Sequence, residues 1–133
     1  MTESRLLGRG VAGIVFAAVV LVPGVAAAAS GDDADQSTLK LTVTESQKSR
    51  TVTLNCDPAS GDHPRASVAC DELHRVEGKF ERLDPGQPKN CTKESRQTTA
   101  SAEGTWRGQP VGYQVLLANP CQLKAATGSV FAF

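Results

Sequence analysis

The 133-residue sequence has no excess of charge of either sign, since 14 basic side chains balance 14 acidic ones. Proteins whose main partner is nucleic acid or an anionic membrane use a surplus of Lys and Arg, so this balance argues against both partners. Histidine is scarce too, with only His63 and His74 in the chain. No Ser/His/Asp constellation is evident, and two histidines offer little material for a catalytic triad or a metal site. The sequence therefore predicts neither an enzyme nor a protein that carries a metal or another cofactor.

Long apolar runs are also missing, apart from one near the N-terminus. A short basic start precedes an apolar stretch at residues 11–22, a Pro-Gly pair breaks it, and alanines at 26–29 offer an Ala-x-Ala cleavage signal. This order is typical of a secretory signal peptide, whereas a membrane-spanning helix needs about 20 apolar residues. We therefore expect residues 1–29 to be removed and the mature protein to be secreted into the extracellular space, with no membrane partner.

Cysteine pairs at the spacing of a zinc site are absent as well. Zinc sites use Cys-x-x-Cys pairs or nearby histidines, whereas the four cysteines of this chain are widely spaced: Cys56, Cys70, Cys91 and Cys121. An even count in a small exported domain predicts two disulfide bonds instead. Four cysteines allow three pairings, and the count alone does not choose among them.

Alternating and helical patterns organise the rest of the chain. Residues 30–37 are acidic and polar, and we expect a flexible segment there. Apolar residues at helical spacing after Pro64 predict a helix that ends at Gly78. Alternation of apolar and polar residues predicts strands at 38–44, 51–56, 98–107 and 111–117, with a short last strand at 129–133. The fold class is therefore α+β, an antiparallel sheet with helix, in one domain over residues 38–133.

The predicted helix also bears on the disulfide pairing. It turns Cys70 inward, and Cys56 ends the preceding strand, so a local Cys56–Cys70 bridge is geometrically natural and leaves Cys91 with Cys121. Residues 79–97 carry charges, prolines and a glycine, and they form a long irregular segment. Such loops in compact domains are usually functional or disordered, and a disulfide at the centre of this one argues against disorder.

Five stretches together resemble the Streptomyces subtilisin inhibitor family: TLKLTVT, VTLNCDPASGDHPRASVACDEL, NCTKE, EGTWRGQPVGYQVLLANPC and GSVFAF. The resemblance covers residues 38–133. It implies a five-stranded antiparallel sheet with two helices, the same two disulfides, a homodimer, and a secreted inhibitor of serine proteases that acts by a reversible, substrate-like mechanism.

The resemblance also places the protease-binding loop in one short stretch: Cys91, Thr92, Lys93, Glu94 and Ser95. It implies that Lys93–Glu94 is the bond offered to the protease and that Asn119 supports the loop through hydrogen bonds. Lysine at the primary specificity position favours trypsin-like enzymes, which have an acid at the base of their pocket. Its methylene stem also suits a subtilisin-like pocket, where the ammonium reaches water.

Three residues after the proposed bond depart from the family pattern. The family often has an aromatic residue where this chain has Ser95, and a stiffening proline pair where it has Arg96 and Gln97. We therefore expect a more mobile loop, with weaker inhibition or faster cleavage. The alternative function is a secreted binding or structural module of the same fold, whose loop does not inhibit and whose Lys or Gln side chains serve in cross-linking.

Overall fold

The computed structural model describes residues 32–84 and 90–133, together with Gly24. Apart from that glycine, the expected signal peptide and its cleavage site lie outside the described residues. A short helix, α1 (Asp32–Asp35), falls within the segment that was expected to be flexible, and the first strand begins two residues after it.

The first two predicted strands are confirmed and pair with each other. Strand β1 (Ser37–Glu45) runs antiparallel to β2 (Lys48–Cys56), with Glu45 opposite Lys48 at the closed end of the hairpin. The turn consists of Ser46 and Gln47 alone, both with positive φ (48° and 67°). Two such residues give the hairpin turn whose twist matches that of the flanking strands.

The two predicted strands of the second half are also confirmed. They are β4 (Thr98–Trp106) and β5 (Gln109–Leu117), which form a second antiparallel hairpin. Strand β1 pairs with β2 on one side and with β4 on the other. A two-residue strand, β3 (Ser60–Gly61), lies at the edge beside β2, so the sheet order is β3-β2-β1-β4-β5. The predicted five-stranded antiparallel sheet is therefore confirmed, with β1 at its centre.

The predicted strand at residues 129–133 is wrong. The fifth strand is β3 (Ser60–Gly61), a two-residue edge beside β2. The end of the chain forms helix α3 (Pro120–Thr127) followed by turns, in which the Val130 N–H donates to the Thr127 carbonyl and the Ala132 N–H to that of Ser129. Val130 and Phe131 are buried in the core, so their apolar character reflects packing rather than strand pairing.

The central helix begins and ends close to its predicted limits. It is α2 (Ala66–Arg75), followed by a turn that reaches Gly78 and then by a 3₁₀ turn (Phe80–Arg82). Gly78 has φ +73°, and a Cβ on it would lie 2.3 Å from Cγ of Trp106. Only glycine fits that position, because both the backbone conformation and the indole ring exclude a side chain.

The core lies between one face of the sheet and the helical elements. Its members are the inward residues of the strands together with residues of α2, α3 and the C-terminal turns: Leu39, Leu41, Val43, Leu54, Ala69, Leu73, Phe80, Ala100, Ala102, Trp106, Leu123, Val130 and Phe131. The Cys56–Cys70 disulfide, as predicted, joins the end of β2 to α2. Among the described residues, no helix has the length and apolarity needed to cross a membrane.

Candidate functional site

Residues 90–97, just before β4, are irregular, and a disulfide at Cys91 fastens them. Cys91 is bonded to Cys121 in the first turn of α3, with Cα atoms 5.6 Å apart, which confirms the second predicted pairing. The next four residues, Thr92 to Ser95, are exposed to solvent. The loop therefore projects from the surface at a point that is covalently tied to a helix.

Asn119 connects the same helix to the loop backbone. Its side chain caps α3, with Oδ1 accepting from the Gln122 N–H at 2.9 Å. Its Nδ2 donates to the Thr92 carbonyl at 3.1 Å and to the Glu94 carbonyl at 2.9 Å. Those two carbonyls lie on either side of Lys93, so one buried amide, 1% exposed, spans the stretch that contains the Lys93–Glu94 bond.

The chemistry of asparagine accounts for this arrangement. An amide side chain carries one acceptor oxygen and two N–H donors, whereas an aspartate has acceptors only and a serine has one short hydroxyl. Asparagine is among the preferred N-cap residues, and Pro120, which follows it, suits the first helical position. The strand and helix patterns of the sequence missed α3, although this Asn-Pro pair was the signal that could have found it.

Arg96 fastens the segment on the far side of the loop. Its backbone N–H donates to the Ala118 carbonyl at 2.9 Å, and its carbonyl accepts from Oγ1 of Thr98, also at 2.9 Å. Its guanidinium Nε lies 2.8 Å from Oε1 of Glu45 and 3.5 Å from Oε1 of Glu94. The sequence missed these contacts, because Glu45 lies in a distant part of the chain and ion pairs of this kind leave no local pattern.

The two histidines of the chain are engaged elsewhere in the fold. In the described ranges, no group of three or more His, Cys, Asp and Glu side chains is arranged to hold a metal ion. His63 is buried, accepts from the Arg65 N–H at Nδ1, and therefore donates from Nε2 to the Val130 carbonyl at 2.9 Å. Nε2 of His74 lies 3.1 Å from Oδ1 of Asp57. Both histidines thus make contacts within the fold.

Tyr113, on the core-facing side of β5, has a perturbed pKa. Burial, and to a lesser extent the negative charge of Glu81, raise the pKa of Tyr113 above its ordinary value of 10.0. Its ring stacks on Phe80 with centroids 5.4 Å apart and on Phe131 at 6.2 Å. Its role is packing.

The loop presents exposed side chains on a backbone that is tied from within. Proteases bind substrates as extended segments, with main-chain hydrogen bonds for affinity and pockets for side chains. A segment whose carbonyls are already engaged by Asn119, and whose ends are fixed by Cys91 and Arg96, is ordered before any partner arrives. The geometry therefore suits binding of the loop in a groove of a partner.

Comparison with known proteins agrees with this geometry. The family model described as "Subtilisin inhibitor-like" matches residues 35–119. The chain is 44% identical over 105 residues to a "Transglutaminase-activating metalloprotease inhibitor" of Streptomyces mobaraensis, covering 73% of this chain and 71% of that protein. It is also 44% identical over 105 residues to the "Protease inhibitor SIL-V1/SIL-V4" of Streptomyces netropsis, covering 73% of this chain and 96% of the relative.

A solved structure shares the architecture. It is that of Streptomyces caespitosus sermetstatin in complex with Bacillus licheniformis subtilisin, with a TM-score of 0.59 and 29% sequence identity, covering 74% of this chain and 99% of sermetstatin. The family model spans more than half of the chain, and the fold, disulfides and relatives all agree with it. The chain therefore belongs to the subtilisin inhibitor-like family of protease inhibitors.

Proposed function

We propose that the chain inhibits serine proteases by offering the Lys93–Glu94 bond as a substrate-like bait that is cut slowly and rejoined. The observation that carries this proposal is the position of Asn119. Its amide donates to the carbonyl oxygens of Thr92 and Glu94, one on each side of Lys93. A loop braced in this way holds its backbone still around one particular peptide bond.

The energetics of such a loop follow from conformational entropy. Ordering a flexible backbone costs about 1–2 kcal/mol per residue, so a free peptide loses much of its contact energy when a protease fixes it. A loop that is already ordered avoids most of that cost and binds more tightly for the same contacts. After attack by the enzyme's serine, the amine released at Glu94 stays near the ester, because Asn119 and Arg96 hold that side of the loop. Religation then competes with hydrolysis.

The exposed Lys93 side chain supports trypsin-like targets. Its ammonium complements the acid at the base of a trypsin-like pocket. Subtilisin-like enzymes are the second proposed class, supported by the likeness to sermetstatin, which was solved in complex with subtilisin. In their broader pocket the lysine stem packs against apolar walls.

We also propose that the protein acts outside the cell as a homodimer, after removal of residues 1–29. The order of basic, apolar and alanine-rich segments supports export. The family resemblance supports a dimer, and β5 leaves the large apolar side chain of Leu116 57% exposed at the edge of the sheet. Light scattering of the mature protein tests the dimer, and a monomeric mass at micromolar concentration contradicts it.

Titration of trypsin and subtilisin with the mature protein tests the inhibitory function. Wild type is expected to remove the activity of both enzymes, with mass spectrometry showing a slow nick at Lys93–Glu94. Lys93→Glu is expected to abolish trypsin inhibition while leaving the melting temperature unchanged, because the side chain is exposed. Unchanged inhibition by this variant would show that the bond offered to trypsin is not Lys93–Glu94.

A wild-type protein that is folded, yet leaves both enzymes fully active at micromolar concentration, would contradict the inhibitory function. That result would favour the alternative of a binding or structural module that keeps the fold with an inactive loop.

A further inference from the structure

Arg96 links the residue after the proposed cleavage site to the body of the protein. Its Nε lies 2.8 Å from Oε1 of Glu45 and 3.5 Å from Oε1 of Glu94. Glu45 is the last residue of β1, the central strand of the sheet, and its side chain is only 24% exposed. One guanidinium thus joins a loop carboxylate to the most enclosed strand of the molecule.

The start of the Arg96 side chain is itself fixed. The backbone N–H of Arg96 donates to the Ala118 carbonyl, and the Arg96 carbonyl accepts from Oγ1 of Thr98, whose side chain is fully buried. The guanidinium therefore extends from an anchored point rather than from a mobile loop. Anchoring matters, because exposed ion pairs are weak mainly when two flexible side chains must be ordered to form them.

Glu45 is also held on its other oxygen. Its Oε2 lies 3.9 Å from Nη2 of Arg50 on β2, while Oε1 faces Arg96. Two arginines and two glutamates thus alternate from β2 to the loop, with no net charge. Networks with defined geometry contribute more than isolated surface pairs, and the carboxylate of Glu94 is compensated within the inhibitor itself.

We propose that Arg96 is a positioning residue that retains Glu94 after the Lys93–Glu94 bond is cut and so favours religation; this inference rests on the proposed inhibitory function. In the cut, the serine oxygen of the enzyme bonds to the Lys93 carbonyl carbon, the bond to the Glu94 nitrogen breaks, and that nitrogen takes up the proton from the serine. In religation, the amine attacks the ester carbon, the peptide bond re-forms, and the serine oxygen leaves with the proton.

Retention of Glu94 needs more than one attachment point. The hydrogen bond from Asn119 holds its carbonyl, and Arg96 holds its carboxylate. Two points of attachment limit rotation and displacement of the new amine, which keeps its effective concentration at the ester high. The departures from the family pattern at Ser95, Arg96 and Gln97 predict a more mobile loop. The ion pairs of Arg96 restrain the loop on that same side.

The test compares Arg96→Gln with Arg75→Gln, the same side-chain change at the exposed end of α2. Each mature variant is incubated with a catalytic amount of trypsin, and the intact and nicked forms are counted by mass spectrometry. After reduction of the disulfides, fragment masses separate a nick at Lys93–Glu94 from a cut after any other basic residue. We expect Arg96→Gln to be nicked about three- to fivefold faster than wild type, with the equilibrium ratio of nicked to intact protein raised by a similar factor, as suits a surface ion-pair network. Arg75→Gln is expected to match wild type.

Three further measurements distinguish positioning from a general loss of structure. Glu45→Gln removes the other end of the bridge and changes the net charge in the opposite direction, yet it is expected to speed nicking as Arg96→Gln does. Arg96→Lys is expected to restore part of the wild-type behaviour. Molar salt is expected to bring wild type close to Arg96→Gln while changing that variant little, since salt screens exposed ion pairs.

The outcomes separate this inference from the function on which it rests. If wild type inhibits trypsin but both Arg96→Gln and Glu45→Gln are nicked at its rate, the positioning role is wrong and the inhibitory function stands. If wild type neither inhibits nor is nicked at Lys93–Glu94, the inhibitory function itself is wrong. Should Arg96→Gln lower the melting temperature markedly, Glu45→Gln, which leaves the loop sequence intact, decides the question.

Discussion

At the scale of single residues, Asn119 combines two tasks that other side chains perform only one at a time. Its oxygen caps α3, and its nitrogen donates to two loop carbonyls. Substituting Asn119 by serine keeps a good N-cap but removes the reach to the loop, whereas alanine removes both. The pair of variants therefore separates the stability of the helix from the bracing of the loop.

We expect both Asn119→Ser and Asn119→Ala to be nicked at Lys93–Glu94 about tenfold faster than wild type, because each loses two hydrogen bonds of roughly 0.5–1.5 kcal/mol. Alanine is expected to lower the free energy of unfolding by about 1 kcal/mol more than serine, which is the usual worth of the cap. Mass spectrometry of the nick and urea denaturation measure the two effects. A nicking rate for Asn119→Ser equal to that of wild type would show that the amide does not brace the loop.

Ionisation of Tyr113 is expected to lower the stability of the fold at alkaline pH. Burial and Glu81 raise the pKa of this phenol in the folded protein, so the fold favours its neutral form. The unfolded chain ionises near pH 10, at which point it binds fewer protons than the folded chain, and the free energy of unfolding falls as pH rises. Below about pH 9 the tyrosine contributes no pH dependence.

The matched substitution is Tyr113→Phe, which keeps the ring that stacks on Phe80. Denaturation of both proteins between about pH 8 and 11 is expected to show a steeper alkaline loss of stability for wild type, since only wild type carries the phenol whose pKa is raised in the folded state. Parallel curves would mean that Tyr113 titrates alike in the folded and unfolded states.

At the scale of elements, the two disulfides have different tasks. Cys56–Cys70 joins β2 to α2 within the core, whereas Cys91–Cys121 joins the loop to the first turn of α3. Their sequence separations, 14 and 30 residues, predict similar entropic stabilisation of roughly 3–4 kcal/mol each. Stability alone therefore does not distinguish them, but the behaviour of the loop does.

Replacing both Cys91 and Cys121 by serine is expected to turn the inhibitor into a substrate that trypsin cuts rapidly at Lys93–Glu94. The control replaces Cys56 and Cys70 and is expected to lose comparable stability while remaining slowly nicked, provided that both proteins are assayed well below their melting temperatures. Equal nicking rates for the two double variants would contradict a special role for the loop disulfide.

The turn after α3 is held by a carboxylate of α2. The Ser129 N–H donates to Oε2 of Glu72 at 2.8 Å, and a Cβ on Gly128 would lie 2.8 Å from that same oxygen. Gly128 also has φ +61°, which favours glycine. This contact orients the chain that returns Val130 and Phe131 to the core.

We expect Gly128→Ala to lower the free energy of unfolding by about 1–2 kcal/mol, because the substitution is strained in backbone and displaces Glu72. Gly112→Ala is the control, since the Cβ of an alanine there meets no atom within 4 Å and its φ lies outside the left-handed region. The free energy of unfolding of that variant is expected to lie within about 0.5 kcal/mol of the wild-type value or slightly above it. Urea denaturation compares them, and equal losses would show that the carboxylate contact is unimportant.

The four long strands, β1, β2, β4 and β5, were predictable from sequence because each alternates over at least six residues, and a half-buried strand leaves that signature. The two-residue β3 is too short to leave such a pattern. Helix α3 and the chain end were not. The helix is only eight residues long and buries just Leu123 and Thr127, so no clear periodic stripe marks it. Val130 and Phe131 are adjacent and both buried, as suits a turn packed against the core, whereas their apolar pattern alone predicts a strand.

At the scale of the whole molecule, the candidate site is assembled from parts that are remote in sequence. The end of β1 supplies Glu45, the loop supplies Glu94 and Arg96, and the start of α3 supplies Asn119. Sequence motifs located the loop and, through the family resemblance, Asn119. The bridge through Glu45 depends on how β1 pairs with β4 and could be found only in the folded chain.

The Cys91–Cys121 bond closes the chain into a covalent ring, and the proposed cut falls inside that ring. A nick at Lys93–Glu94 therefore opens the ring without releasing a fragment. It leaves β1 in the first piece still paired with β4 in the second.

On a denaturing gel the nicked protein is expected to run as one band without reductant and as two bands with it. Two bands without reductant would show that the cut lies outside the ring. After the proposed cut, the nicked chain would differ from the intact one by a single molecule of water, so loss of that water on religation would restore the original protein.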